Sequence, residues 1–401
     1  MRDISKDIRE FNKGRIPFLL GMKFERMNED AFRFFRGTSH LYYSDLRKKF
    51  PVPDPTRVWM CADLHLENFG SFKGDNRQVY FDINDFDDAA LGSCSVEIAR
   101  TIISIHLASH KLNYRKIDTE NAAAIFLQRY CAVLCEQHSL MVDAVTANGV
   151  VGKLLRGLQD RKRKDFLAQR ISHSGKRIVL KKDHLKMWEL KKDEEQELLE
   201  HFKKHPIYLG DKKIIITDAA HRIAGTGSLG IHRYVLLAHQ EQKPHKHYLL
   251  ELKESRPTPV SMLRSFHQPK WKNDAQRITT VQHRLQCVSP ALLRPVMMKG
   301  RSFVIKELQP TDDRVELESC RKNTTRFFDL VHTLAEVTAS AHLRASGRQG
   351  ASNADELAVF ASEPSWKKKI LSFSSAYATQ VKEDHEQFRK KLEEGYFSKG
   401  Q

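Results

Sequence analysis

The stretches ADLHLENFG (residues 62–70) and FDINDFDDA (residues 81–89) decide the fold that this sequence predicts. Each follows a short run of strand-forming residues, 57–61 or 78–83, and then changes abruptly to acidic and amide side chains. The two runs are expected to form a hairpin-like unit that carries the loops. Two such loops, each behind its own strand, indicate one shared site. For either loop taken alone, a solvated acidic turn remains the alternative.

Four side chains of these loops have the chemistry of a metal-dependent site. Asp63 and Asn68 lie in the first loop, and Asp85 and Asp87 lie in the second. Mg²⁺ takes oxygen ligands and is usually held by one or two carboxylates together with substrate phosphates. We therefore predict that Asn68 and Asp85 bind Mg²⁺, with Asp87 as an auxiliary ligand.

The same loops carry a family resemblance. An Asp followed five residues later by Asn, and then by an apolar-Asp-Phe segment, resembles the catalytic and metal-binding loops of protein-kinase-like phosphotransferases. The forms DLHLEN and NDFDDA are closer to aminoglycoside and choline kinase-like enzymes. Together with FFRGT (34–38) and KELQP (306–310), they resemble a bacterial family known as domain of unknown function 2252, which has no assigned substrate. The resemblance implies that Asp63 orients or deprotonates an acceptor hydroxyl. His65, which lies between Asp63 and Asn68, is expected to help position the loop, with a packed or hydrogen-bonded structural histidine as the alternative.

The glycine-rich segment GTGSLG at residues 225–230 predicts a phosphate-binding turn. A dinucleotide-binding motif would need a helix directly after the glycines, but residues 231–238 are rich in strand formers. The glycines are therefore expected to cap a β-hairpin. The following strand, residues 248–253, ends in Lys253, which matches the kinase arrangement of a loop over the phosphates and a strand-borne lysine, although Lys253 could also be an ordinary strand-end lysine. The predicted nucleotide-binding residues are Gly225, Gly227, Ser228, Gly230 and Lys253.

The order of these parts is unusual. Kinases place the glycine loop and lysine before the catalytic loop, whereas Asp63 lies far upstream of Gly225. A helix like the one that precedes a kinase catalytic loop is expected at 334–343, near the C-terminus. We therefore predict an α+β, two-lobed protein kinase-like fold that is circularly permuted. Its expected parts are a helical large-lobe segment (1–145), a basic helical insertion (146–213), a strand-rich nucleotide-binding small lobe (214–310) and the remaining large-lobe helices (311–401).

The predicted activity is ATP- and Mg²⁺-dependent phosphoryl transfer to an unidentified hydroxyl-bearing small molecule or protein. One kinase feature is missing, since the helix around residues 278–286 has no Glu to pair with Lys253; Gln282 is the expected substitute. Nucleotidyl transfer, a non-catalytic nucleotide-binding scaffold and a nucleic-acid-binding protein remain alternatives. Arg36 is expected to form a structural ion pair, with a phosphate contact as the alternative. Glu97 and Arg100 are expected to form a local pair or to anchor the loop.

The amino-acid composition narrows the classes of protein to which this chain could belong. The 401 residues include 67 Lys and Arg against 50 Asp and Glu, and residues 153–213 hold 18 of the bases and ten of the acids. Nucleic acid binding through this basic segment is conceivable but is not favoured over a solvated face. The six cysteines lack C-x-x-C spacing, which disfavours a zinc module or disulfide framework. No apolar run reaches the ~18 residues that a membrane span needs, so a cytoplasmic protein is expected.

Overall fold

The computed structural model has a mixed α+β architecture with thirteen α-helices and fourteen β-strands among its described residues. The residues described are 3–48, 50–159, 161–175, 177–183, 186–263, 265–309 and 314–397.

The helices are α1 (Ile4–Phe11), α2 (Pro17–Glu29), α3 (Ala31–Gly37), α4 (Ser39–Lys48), α5 (Cys94–Lys111), α6 (Lys116–Glu136), α7 (Gly149–Gln159), α8 (Arg163–Ala168), α9 (Lys192–Lys204), α10 (Asp274–Leu285), α11 (Thr324–Ala345), α12 (Ala354–Ser362) and α13 (Lys367–Glu393). The strands are β1 (Val58–Met60), β2 (Phe69–Lys73), β3 (Val79–Ile83), β4 (Ala90–Gly92), β5 (Val142–Asp143), β6 (Ile171–Ser174), β7 (Arg177–Leu180), β8 (Met187–Trp188), β9 (Ile207–Leu209), β10 (Lys212–Arg222), β11 (Arg233–Gln240), β12 (Lys243–Glu254), β13 (Arg294–Met298) and β14 (Arg301–Glu307).

The largest sheet is antiparallel and has the order β13-β14-β12-β11-β10-β8, with β9 also paired to β10. Successive side chains of a strand point to opposite faces. Along β12, Leu250 and Leu252 therefore enter an apolar core on one face. Glu251 and Lys253 lie on the other face, where they line a cavity. Because of this alternation, one face of β12, the second strand after the glycine segment, carries charged side chains.

The helical part packs around α5, of which almost every residue is buried. Helices α6 and α13 contact α5, and α11 packs along α6. Helices α1, α2 and α3 also contact α13, so elements from both ends of the chain share one core. Among the described residues, no helix combines the length and the apolar character that crossing a membrane requires.

The glycine segment lies between the antiparallel strands β10 and β11, as the sequence predicts, and Lys253 lies on β12. The expected pairing of the strands at 57–61 and 78–83 is wrong. Strand β1 pairs with β4, and β3 pairs with β2 and β5. Each acidic loop therefore follows a strand of a different small sheet. The two loops meet where β2 pairs with β3 and where the Asn84 N–H donates to the Asn68 carbonyl at 2.9 Å.

The segment 146–213 is helical only in part, which corrects the expected helical insertion. It contains α7, α8 and α9, but also the four strands β6 to β9. Two of these strands, β8 and β9, extend the large sheet, so the sheet does not begin at residue 214. The strands escaped prediction because each is short and mixed with basic or polar residues, which leaves no clear two-residue alternation.

Candidate functional site

A cavity of about 390 Å³ lies where the two acidic loops face the β10–β11 turn and the charged face of β12. Nine of the ten predicted site residues line this one cavity, and Gly230 is the exception. The nine are Asp63, His65, Asn68, Asp85, Asp87, Gly225, Gly227, Ser228 and Lys253.

The backbone before Asp63 is held in a left-handed conformation. Ala62 has a φ of 67°, a backbone conformation that is strained for a residue with a side chain. Contacts with the surrounding structure must therefore stabilise it. The buried carboxylate of Glu97 accepts the backbone N–H groups of Cys61 (3.2 Å) and Ala62 (2.8 Å). Glu97 is in turn contacted by His342 Nε2 at 3.2 Å, whose other ring nitrogen bonds the Tyr130 hydroxyl at 2.8 Å. Glu97 is thus the expected loop anchor, while its expected pairing with Arg100 is absent.

Arg100 instead holds the Asp63 side chain. Its Nε donates to Asp63 Oδ1 at 2.7 Å, and its Nη2 donates to the carbonyl of Phe35 at 3.1 Å. The guanidinium is fully buried and lies 4.1 Å from the centre of the Phe35 ring. Burial raises the pKa of Asp63, and Arg100 opposes that rise. The result is a carboxylate with a fixed orientation whose side chain is still 25% exposed toward the cavity.

Asn68 joins the two acidic loops. Its Oδ1 accepts the backbone N–H of Asp85 at 2.7 Å. Its Nδ2 donates to the carbonyls of Asp63 (3.0 Å) and Asp85 (3.1 Å). In this arrangement the amide fixes both loops in a common position, a structural contribution in addition to the metal-binding role predicted for it.

Lys253 lies between the carboxylates of the second loop. Its Nζ is 2.6 Å from Asp87 Oδ2 and 3.2 Å from Asp85 Oδ1. Burial lowers the pKa of Lys253, but the two carboxylates outweigh burial and raise it overall. Burial and the neighbouring Asp85 raise the pKa of Asp87 to about 6. The two carboxylates therefore converge on one point of positive charge.

Lys253 lies next to a buried network of charged side chains on β10, β11 and β12. Glu251, two residues before it, accepts hydrogen bonds from Arg222 and Arg233. Lys306 on β14 lies beside Glu251 in register. Burial would raise the pKa of Glu251, but these cations lower it overall. The sequence reasoning missed this network, although the alternation of Glu251 and Lys253 on one strand was a signal that could have identified it.

The glycine turn is held from behind by cations near the N-terminus. Arg15 Nη1 donates to the carbonyls of Gly227 (2.8 Å) and Leu229 (2.6 Å), and Lys23 Nζ donates to Gly227 at 3.1 Å. Arg26 Nη1 donates to the carbonyl of Gly225 at 2.6 Å. No local sequence pattern signals these contacts because the partners lie about 200 residues apart.

Close packing explains the glycines at two positions of this turn. A Cβ on Gly227 would lie 3.0 Å from the backbone carbonyl oxygen of Arg36. Gly230 has a φ of 89°, and a Cβ there would lie 2.8 Å from the Arg15 side chain. Gly230 therefore serves the docking of the turn on the N-terminal segment.

The carbonyl contacts also orient the turn's amides. The described residues contain no cis peptide bond, and in a trans peptide the N–H points opposite to the preceding carbonyl. The N–H groups of Thr226 and Ser228 therefore point away from the cations that bind the carbonyls of Gly225 and Gly227. Within the described part of the chain, neither N–H donates a hydrogen bond. Both residues line the cavity.

His65 is a buried residue of the first loop. Its Nδ1 lies 3.1 Å from the Glu67 N–H, and its Nε2 lies 3.3 Å from Arg36 Nε. Burial keeps its pKa well below the usual range, so the ring is neutral. Arg36 forms its ion pair with Glu67. The geometry is that of a positioning residue, which is the contribution expected of His65.

One expectation about a partner is wrong. An amide side chain holds a lysine through its oxygen, but Lys253 Nζ contacts Asp85 and Asp87, and no hydrogen bond joins it to Gln282 among the described residues. The described residues include no group of three or more His, Cys, Asp or Glu side chains arranged to hold a metal ion. Asp85 and Asp87 alone supply two carboxylates, the number with which Mg²⁺ is usually bound beside substrate phosphates.

A family model described as an uncharacterized protein conserved in bacteria (DUF2252) matches residues 15–391. The chain belongs to this family. No curated protein and no solved structure matches it. For this DUF2252 member, all four motifs in the resemblance contribute residues that line the cavity: FFRGT, DLHLENFG, FDINDFDD and KELQP. The fourth, KELQP, contributes Lys306 and Gln309, while its Pro310 lies outside the described residues.

Proposed function

We propose that the protein is an ATP- and Mg²⁺-dependent phosphotransferase that acts on a hydroxyl-bearing acceptor. The observation that carries the proposal is the position of Lys253 between Asp85 and Asp87, directly facing the β10–β11 turn. Phosphoryl transfer depends mainly on positioning and on neutralising phosphate charge. This cavity combines both requirements in one place.

Three kinds of group are available for phosphate oxygens. The amides of Thr226 and Ser228 face away from their anchoring cations, and Lys253 supplies a positive charge. Arg256 and Arg314 also line the cavity, and their guanidinium groups form no hydrogen bond or ion pair within the described residues. Backbone N–H groups and cations together are the usual means of binding a polyphosphate.

Asp85 and Asp87 fit Mg²⁺ because their oxygens already converge on the Lys253 ammonium. When bound, Mg²⁺ would neutralise charge on the phosphates. Lys253 would then be released from the carboxylates to contact the phosphates. Asn68 would keep the two loops in a fixed relation through its bonds to Asp63 and Asp85.

Asp63 is proposed to orient the acceptor hydroxyl and to accept its proton. Its carboxylate is partly exposed to the cavity and is held on one side by Arg100. Burial raises the pKa of Asp63, which makes it a stronger base than an exposed carboxylate. His65 and Glu97 keep the loop in place without contacting the acceptor.

The kinase-like, circularly permuted arrangement belongs to the same proposal. In this chain β10, the glycine turn, β11 and β12 follow one another, and Lys253 lies on β12, the third of these strands. A kinase lysine likewise lies on the third strand, which supports the proposal. Further support comes from Asp63, which shares the cavity with Gly225 although it precedes Gly225 by about 160 residues. A permuted chain would bring these parts together in this order.

One observation favours a second candidate, a nucleotide-binding scaffold without transferase activity. In a kinase, a Glu on the helix after the lysine strand pairs with that lysine. Here the equivalent helix α10 offers no such Glu, and Lys253 pairs with the proposed metal ligands instead. A scaffold would retain nucleotide binding and show no turnover.

Labelled ATP separates these functions. The protein is incubated with Mg²⁺, a metabolite and protein extract, and ATP labelled at either the γ- or the α-phosphate. We expect a product labelled only from the γ position, and none with Asp63→Asn. Label from the α position would indicate nucleotidyl transfer and contradict phosphoryl transfer. ATP binding without any labelled product would favour the scaffold.

A further inference from the structure

Ser39 and Asp88 line the cavity of the candidate site but take no part in the proposed reaction. Ser39 is the first residue of α4, and its Oγ donates a hydrogen bond to Asp88 Oδ2 at 2.9 Å. Asp88 forms no ion pair with any of the described residues. A hydroxyl group that is hydrogen-bonded to a carboxylate has the arrangement of an oxygen nucleophile beside its general base.

The backbone around Asp88 is fixed on both sides. Thr258 Oγ1 donates to the carbonyl of Asp88 at 2.6 Å. The buried guanidinium of Arg277 donates to the carbonyl of Asp87 at 3.0 Å and also to that of Ala89. Because this backbone is held in one place, the Asp88 carboxylate keeps its position beside the hydroxyl group.

The chain just before Ser39 contacts both the glycine turn and the first acidic loop. The backbone carbonyl of Arg36 packs so closely on the turn that a Cβ on Gly227 would lie 3.0 Å from its oxygen. The arginine that holds Asp63 also donates to the carbonyl of Phe35 at 3.1 Å. Ser39 therefore lies beside the place where the phosphates of a bound nucleotide would meet the first acidic loop.

Two arginines of the same cavity provide donors for a phosphate group on Ser39. Arg15 Nε is buried and bonds none of the described residues, and the Arg256 guanidinium also forms no hydrogen bond or ion pair among them. Burial and the charge of Arg256 lower the pKa of Arg15 to about 10, whereas the charge of Asp88 opposes this change. The two guanidinium groups therefore lie near each other and near Asp88. A phosphate group would offset the repulsion between them and accept charge-assisted hydrogen bonds from both.

We propose that Ser39 is a self-phosphorylation site, which accepts the γ-phosphoryl group of a nucleotide bound in the same molecule. In this step Ser39 Oγ forms a bond to the γ-phosphorus, and the bond between that phosphorus and the β,γ-bridging oxygen breaks. The hydroxyl proton passes to Asp88 Oδ2, and ADP leaves. The products are phosphoserine, ADP and a protonated Asp88, so atoms and charges balance. The inference rests on the proposed function and adds an acceptor to it.

The transfer is expected to occur within one molecule. Ser39 is only 6% exposed and lines a cavity formed by its own chain. A second molecule cannot bring its own candidate site to a hydroxyl group that lies inside this cavity. The rate constant for phosphorylation should therefore be independent of the protein concentration.

Phosphopeptide mass spectrometry after incubation with Mg²⁺-ATP tests the inference. We expect phosphate on Ser39 of the wild type and no incorporation into Ser39→Ala. Asp88→Asn should slow the labelling about 100-fold, because the amide cannot accept the proton. Ser44→Ala is the matched control and should be labelled like the wild type, since Ser44 lies on the same helix but does not line the cavity.

A melting assay with Mg²⁺-ATP separates failure of this inference from failure of the proposed function. Ser39→Ala should fold and keep the nucleotide-dependent rise in Tm, because Ser39 is not expected to hold the nucleotide. The inference alone is overturned if the wild type shows this rise and labels another acceptor but carries no phosphate on Ser39. It is also overturned if the rate constant grows in proportion to protein concentration, or if Ser39→Ala incorporates as much phosphate as the wild type. No rise in Tm and no labelled product would refute the proposed function and this inference together.

Discussion

The Asp63–Arg100 pair gives the most specific mutational prediction. A catalytic aspartate often can be replaced by Asn without loss of stability, because active sites are built at some cost to stability. Here Asp63→Asn should instead destabilise the protein. The substitution leaves the Arg100 guanidinium buried without its counter-charge, and Nη1 of this group already lacks a hydrogen-bond partner among the described residues.

The magnitude follows from the burial of both partners. Removing one partner of a fully buried ion pair costs about 3–5 kcal/mol. Asp63 is 25% exposed, and Asn can still accept the Arg100 hydrogen bond, so the expected loss is smaller, about 2–3 kcal/mol. Arg100→Met should cost a similar amount. The double variant should lose less than the sum, with a coupling of about 1.5 kcal/mol or more.

Urea unfolding followed by circular dichroism measures these free energies, provided that a single transition is observed. The exposed pair Lys116–Glu120 is the matched control, and its double-mutant cycle should show a coupling of at most about 0.5 kcal/mol. The reasoning is refuted if Asp63→Asn is as stable as the wild type, or if the losses from Asp63→Asn and Arg100→Met simply add.

Two further predictions concern local conformation and pH. Ala62→Gly should leave stability unchanged or raise it by up to about 1 kcal/mol, because glycine adopts the 67° φ without strain, whereas Ala62→Val should destabilise; urea midpoints compare the three proteins. The pKa of Glu194 is lowered by hydrogen bonds from His221 and His232. A carboxylate with a lowered pKa stabilises the fold above its unfolded pKa and loses that contribution as the pH falls, so Glu194→Gln should lower the urea midpoint at pH 7 more than at pH 3.

Residues close together in sequence were predicted well. The acidic loops, the glycine turn and Lys253 could be placed because each motif lies next to a strand whose apolar residues are visible in the sequence. Their common cavity followed from the chemistry they share. In contrast, the hairpin expected from residues 57–61 and 78–83 failed, because strand formers show where strands are but do not determine which strands pair.

Contacts between distant residues account for most of what was missed. Arg15, Lys23 and Arg26 bind the glycine turn from the N-terminal segment, and nothing near them in the sequence indicates that partner. Arg100 pairs with Asp63 and not with Glu97. This pairing depends on the side of α5 that faces the loop. Strands β8 and β9 of the basic segment form by pairing with β10 of the large sheet, whereas β6 and β7 pair only with each other.

The central claim is that Lys253, the glycine turn and the acidic loops bind Mg²⁺-ATP, and a thermal melting assay tests it most directly. At ATP concentrations about 100-fold above Kd, binding should stabilise the wild type by about 2.7 kcal/mol. Lys246 lies on the same strand, is exposed and does not line the cavity, so Lys246→Met is the matched control. The account predicts a Mg²⁺-dependent rise in Tm for the wild type and Lys246→Met that is largely lost in Lys253→Met. No rise in the wild type at millimolar Mg²⁺-ATP, or an equal rise in Lys253→Met, would contradict it.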